Sequence, residues 1–215
     1  MNPIAVLNEE IVECRRCPRL VEWRERVARE KRKSFAAETY WGRPVPLFGD
    51  PDAERLIVGL APAAHGGNRT GRMFTGDRSG DWIYRALHTA GVASQASSTH
   101  VGDGLELRGA LIAATAHCAP PDNKPLPDEL ANCNVFLQRV LALREWKSIL
   151  CLGGIAWDNV HRTLGERKPA FSHGATNRLS SGLLIVASYH PSQQNTFTGR
   201  LTEPMLDAAV AAWLD

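Results

Sequence analysis

A chain of 215 residues, 44% hydrophobic and 22% charged, has the size and composition of one soluble globular domain that can bury its own core without disulfide staples. No run approaches the roughly 20 apolar residues of a membrane span, and the opening "MNPIAVLNEE" has no basic segment leading into an apolar one, so no signal peptide and a cytoplasmic location are expected. A formal charge of +2 is too small to establish a polyanion partner.

Residues 1–50 read as a helical N-terminal extension wrapped onto a single domain spanning 1–215. Within it, residues 15–33 hold nine Arg and Lys against three Glu. That density suits a phosphate-facing surface, because cations that neutralise phosphates release counterions; charge alone favours a solvated amphipathic helix. The first apolar run, "RLIVGL" (55–60), is continuous rather than alternating, which marks a strand covered on both faces. "SGDWIYRALHTAG" then places Trp82, Ile83, Ala86, Leu87 and Ala90 on one helical stripe that stops at Gly91. A long polar insert, 93–109, precedes the second buried strand, "ALIAATA" (110–116). "LPDELANCNVFLQRVLAL" starts a helix with Pro127 in its first turn. "SILCLGG" (148–154), the helix "GIAWDNVHRTLG", "LLIVASY" (183–189) and the helix "EPMLDAAVAAWL" complete the series. This alternation predicts an α/β fold, a three-layer α/β/α sandwich around a central, mostly parallel, four-stranded sheet.

Five cysteines in a reducing compartment argue for metal binding or reactivity rather than disulfides. Cys151 lies in an apolar run and reads as a small core hydrophobe. Cys14 and Cys17 form C-x2-C, and Cys118 and Cys133 are separated by 14 residues; all four flank loops or helix ends, where thiolates can converge. A thioredoxin-like pair is disfavoured, since no βαβ unit surrounds the C-x2-C. Spacing leaves iron-sulfur and zinc equally open.

In an open parallel sheet, ligands bind beyond the carboxyl ends of the strands. Three unusual segments follow such ends: "APAAHGGNRTGRMFTGD", "HCAPPDNKPLP" and "HPSQQNTFTGR". Together they offer Asp77, Asn123, His65, His190, Phe74, Arg69 and Arg72, which suits gripping a planar base and stabilising charge beside it. No P-loop, dinucleotide fingerprint or nucleophile elbow is present.

These loops carry a resemblance. "GLAPA", "GRMFTGD", "CAPPDNKP" and "HPSQQN" resemble the motif set of the uracil-DNA glycosylase superfamily, most closely its type B branch, family five, and the likeness includes the four cysteines. It implies that Cys14, Cys17, Cys118 and Cys133 hold a [4Fe-4S] cluster that ties the extension to the loop after the second strand. It implies that the partner is DNA containing deaminated bases, and that the protein is a monomeric, monofunctional glycosylase removing uracil together with hypoxanthine and xanthine. By this likeness Phe74 stacks on the flipped base and Asn123 pairs with its polar edge. His190 donates to the departing base, while Gly59, Ala61, Ala63 and His65 line its pocket.

Asp77 is the residue expected to activate water and offset the sugar's positive charge, although Asp77, Ser79 and Asp81 are all rival helix caps. Ala63 stands where other branches have a polar catalytic residue, which moves the burden to Asp77 or His65. Arg69 and Arg72 either meet phosphates or rigidify their loop. Ser192, Gln194 and Asn195 are assigned to DNA contact, with Gln194, Asn195 or Phe197 as the wedge that fills the gap left by the flipped nucleotide. The rival readings are a non-catalytic iron-sulfur or zinc module that binds damaged DNA, favoured by Ala63, and a hydrolase of small nucleosides.

Overall fold

The computed structural model describes residues 2–215. Two helices open the chain: α1 (Pro3–Val12), capped by the Asn2 side chain on the Ile4 N–H, and α2 (Pro18–Glu30), which begins one residue after Cys17. The sheet follows, with strands β1 (Phe48–Gly49), β2 (Arg55–Gly59), β3 (Ala110–Ala114), β4 (Ser148–Leu152), β5 (Thr176–Arg178) and β6 (Leu184–Ser188). Between and after them lie α3 (Gly67–Thr70), α4 (Arg78–Thr89), α5 (Pro127–Ala142), α6 (Gly154–Leu164), α7 (Gln193–Phe197) and α8 (Glu203–Leu214).

The strand order is β1-β3-β2-β4-β6-β5. The four continuous apolar runs are its parallel centre, β3-β2-β4-β6. Every residue of β3, β4 and β6 is buried, which is why those runs show no polar alternation. The sheet has six strands rather than the four expected. Phe48–Gly49 pairs antiparallel with β3, and Thr176–Arg178 antiparallel with β6. Two or three residues are too few to show a period, and "TNR" is polar because it forms a half-exposed edge.

Alternate side chains of each strand divide into two cores. Ile57, Ile112, Leu150 and Val186 pack under α4 and α8, with Ile83, Leu87, Val210 and Trp213. Leu56, Val58, Leu111, Ile149 and Ile185 pack under α1, α5 and α6, with Ile11, Phe136, Leu137 and Trp157. Cys151 belongs to this second core, fully buried as a small apolar side chain. Three layers result, and the carboxyl ends of β2, β3 and β6 leave the sheet on one side. The loops that carry the unusual motifs therefore emerge together.

Candidate active site and cysteine pocket

The loop after β2 is held in a conformation that few sequences accept. Phe74 has φ 53°, the left-handed region that an aromatic residue enters only when its surroundings compel it. Its ring lies against Gly59, where any Cβ would stand 2.8 Å from Phe74 Cζ. Glycine at the end of β2 is thus what admits the ring. From the far side comes His190, which follows β6, with ring centroids 6.0 Å apart and planes tilted 38°. Phe74 and His190, which are 116 positions apart in the chain, form one surface.

Asp77 performs two tasks in the same place. It caps α4, its Oδ1 accepting from the Gly80 N–H at 3.1 Å. Its Oδ2 lies against Gly66, where a Cβ would come within 1.9 Å. Of the three candidate caps, Asp77 is the one that caps α4. Burial pushes the Asp77 carboxyl up, partly offset by the N–H groups of Gly80 and Ser79. Burial also pulls His190 down to about 4, so its imidazole is neutral at physiological pH. The Asn195 amide donates to the His190 carbonyl at 2.8 Å and fixes that turn.

Other expected residues stand elsewhere. Asn123 is exposed on a short turn with φ 55°, next to Asp122 at φ 54°, in the loop between β3 and α5. His65 is bonded through Nδ1 to the Tyr40 hydroxyl at 3.0 Å, and burial lowers its pKa. The Ala63 carbonyl accepts from the Gly66 and Asn68 N–H groups, so this residue shapes the backbone of the pocket. Ala61 is half-buried beyond the end of β2, and Ser192 is the residue before α7.

Arg69 and Arg72 do not face phosphate. Arg69 is buried, pairs with Glu38, and donates to the carbonyls of His65 and Gly76. Arg72 is 5% exposed and meets Asp103 at 2.7 Å, Ser98 at 2.8 Å and Thr75 at 2.9 Å. Of the two roles read for them, stiffening the loop is the one they fill. The Asn195 amide donates to the His190 carbonyl, and the residue is half-buried. Gln194 is exposed, and Phe197 is 68% exposed with the Arg78 guanidinium 4.4 Å over its ring.

The polar insert has a purpose that its sequence did not reveal. Asp103 accepts from Arg72 and from the N–H groups of Thr99 and Leu105, and the Ser98 carbonyl accepts from the Gly76 N–H. The insert therefore braces the segment that holds Phe74. Replacing Asp103 with Asn leaves a buried guanidinium without its anion. It should cost about 2 to 3 kcal/mol, lowering Tm by roughly 4 to 12 °C in a thermal unfolding scan.

The four cysteines converge as well. Cys14, Cys17, Cys118 and Cys133 line one pocket with Leu20, Pro44 and Phe136. Polar groups are aimed at the sulfurs: Arg24 Nη1 donates to Cys118 Sγ at 2.9 Å, the His117 N–H to Cys133 Sγ at 3.4 Å and Asn132 Nδ2 to Cys17 Sγ at 3.7 Å. Burial pushes the Cys118 thiol up to about 11 and that of Cys133 to about 12. Four of the nine cations of residues 15–33 are paired or buried. Arg15 pairs with Glu25, Arg19 with Glu129, Arg26 with Glu22, and Arg24 is buried at the pocket.

A three-layer sheet with an aromatic, an imidazole and a carboxylate at the ends of its parallel strands has the form of a base-excising enzyme. Over residues 46–214 the chain matches the Uracil DNA glycosylase superfamily, and it belongs to that family. Its similarity runs to the type-5 branch. It is 51% identical over 214 residues to the type-5 uracil-DNA glycosylase of Mycobacterium leprae, covering 95% of this chain and 91% of that protein. To that of Thermus thermophilus it is 50% identical, covering 92% and 90% of the two chains, and to that of Pyrobaculum aerophilum 45%, covering 89% and 84%.

Proposed function

We propose that this site draws uracil, and with it hypoxanthine and xanthine, out of duplex DNA and hydrolyses the N-glycosidic bond. Uracil-DNA glycosylase activity in DNA repair follows from family membership and from relatives about 50% identical over most of the chain. The observation that carries the site is the convergence of Phe74, His190 and Asp77 around Gly59 and Gly66. Phe74 offers a π face to the base, and such a face accepts uracil and the larger purines alike. As the C1′–N bond breaks, its electron pair passes to the base, and a neutral His190 N–H donates to the oxygen that gains this charge. Asp77 offsets the cationic sugar and takes the proton of the water whose oxygen bonds C1′. Its raised pKa makes it a better proton acceptor than an exposed aspartate would be. Asn123 reads the polar edge of the base.

Cys14, Cys17, Cys118 and Cys133 would hold a [4Fe-4S] cluster. A pocket lined by four thiols with donors aimed at the sulfurs supports this, because thiolate ligation and hydrogen bonds to sulfur are what such clusters use. When bound, the cluster supplies a rigid tie between the α1–α2 turn and the segment from β3 to α5.

Purified protein incubated with end-labelled duplexes carrying one uracil or one hypoxanthine, then treated with alkali, tests the reading. Scission at both bases supports it, and scission at uracil alone confines the pocket to that base. Tight binding to both duplexes without scission would replace the enzyme by a damage-binding module. Phe197, exposed and braced by Arg78, is the wedge in this reading. Phe197→Ala should slow excision from duplex about tenfold, the equivalent of one lost stacking contact, while leaving single-stranded substrate almost untouched.

A further inference from the structure

Arg24 is the most unusual charge in the molecule. It lies on α2, is 1% exposed, and has no carboxylate partner among the described residues. Glu25, which feels its charge, is bonded to Arg15 instead. Nη1 donates to Cys118 Sγ at 2.9 Å and Nη2 to the Cys14 carbonyl at 3.2 Å, while Nε has no acceptor. A buried cation is costly unless an anion accompanies it. Here the groups it touches are a cysteine sulfur and a cysteine carbonyl from the two arms of the pocket.

The same residue reaches the base site through its backbone. Its carbonyl accepts from Asn68 Nδ2 at 3.2 Å, and Asn68 is completely buried. The Asn68 N–H in turn donates to the Ala63 carbonyl at 3.0 Å. A chain of direct contacts thus runs from Cys118 through Arg24 and Asn68 to the loop that carries Gly66, against which Asp77 rests.

We propose that Arg24 is the counter-charge of the cysteine-held cluster and the positioning residue through which that cluster steadies the loop from Ala63 to Arg72. The inference rests on the cluster reading above. Four thiolates around such a centre are a net anion, which accounts for a guanidinium buried with no carboxylate. It also gives α2 a charge-based reason to stay closed over the pocket, with Asn68 following its backbone.

The test compares the full-length holoprotein with Arg24→Lys and Arg24→Gln, following loss of the iron-sulfur charge-transfer absorbance under a chelator. Lysine keeps the charge and glutamine keeps only a donor. Arg24→Gln should lose the centre at least about tenfold faster, in the range of substitutions beside metal ligands, and Arg24→Lys should recover most of the lifetime. Equal lifetimes in all three proteins, or equal loss in Lys and Gln, would overturn the counter-charge. Hydrogen exchange reads the second half. In Arg24→Gln the amides of 66–72 should exchange about tenfold faster while those of β4 stay protected. Unchanged exchange in 66–72, or loss of protection throughout the sheet, would overturn the path to the loop. If the parent protein carries no iron and sulfide, it is the cluster reading that fails.

Discussion

With asparagine at position 77, excision of uracil is expected to fall by about a hundredfold to ten-thousandfold, the range that a positioned acid-base group supplies. The substitution isolates chemistry from folding. The carboxylate oxygen that caps α4 accepts from the Gly80 N–H, and an asparagine carbonyl oxygen caps almost as well. Tm should therefore move little while single-turnover rates collapse. What asparagine lacks is the negative charge facing the sugar and a site for the proton of water. The pH profile of the parent enzyme adds a second reading. Burial raises the Asp77 pKa above its ordinary 3.8, so the working carboxylate is lost as pH falls through that raised value and is regained above it. His190, held at about 4, is already neutral well above that value and contributes no break near 6.5, where an ordinary histidine would. An inflection of kcat/KM near pH 6.5 that persists in Asp77→Asn and vanishes in His190→Ala would overturn the neutral-imidazole assignment.

His190→Ala should lower the rate by about a hundredfold to a thousandfold, as removal of one donor to a developing anion does. The loss belongs in kcat more than in KM, because the base oxygen gains its charge only as the bond breaks. The imidazole also flanks the Phe74 ring, so alanine removes packing as well as a donor. His190→Gln separates these effects, since it fills the space and keeps an N–H. Recovery of a substantial part of the rate by glutamine would point to donation, and a rate equal to that of alanine would point to the ring itself. If alanine leaves kcat unchanged, the base is stabilised by something other than this side chain.

The sheet was legible because burial on both faces removes polar residues from a strand, and the runs at β2, β3, β4 and β6 have none in their interiors. Edge strands of two and three residues leave no such mark. The candidate site was read from motifs at the strand ends, and in the structure the rings of Phe74 and His190 stand 6.0 Å apart while Asp77 rests against Gly66. Arg69 and Arg72 illustrate what sequence could not show. A charged residue in a glycine-rich loop reads as exposed, yet their partners Glu38 and Asp103 each lie 31 positions away. Arg24 met the same difficulty, since 94 positions separate it from Cys118 and its neighbours on α2 are ordinary surface charges. Phe197 was one of three candidates for the wedge until exposure separated it from Asn195.

Segments that link a helix to a strand on the outside of a fold usually accept gains and losses of residues. The stretch between α4 and β3 has no such freedom. Ser98 and Asp103 must arrive together at Arg72, Thr75 and Gly76 to keep Phe74 in a backbone conformation it would otherwise leave. Shortening that stretch by one residue would behave as an active-site lesion, although it contributes neither Phe74, His190 nor Asp77. Natural or engineered variants that map there belong with defects of catalysis, not with tolerated surface variation.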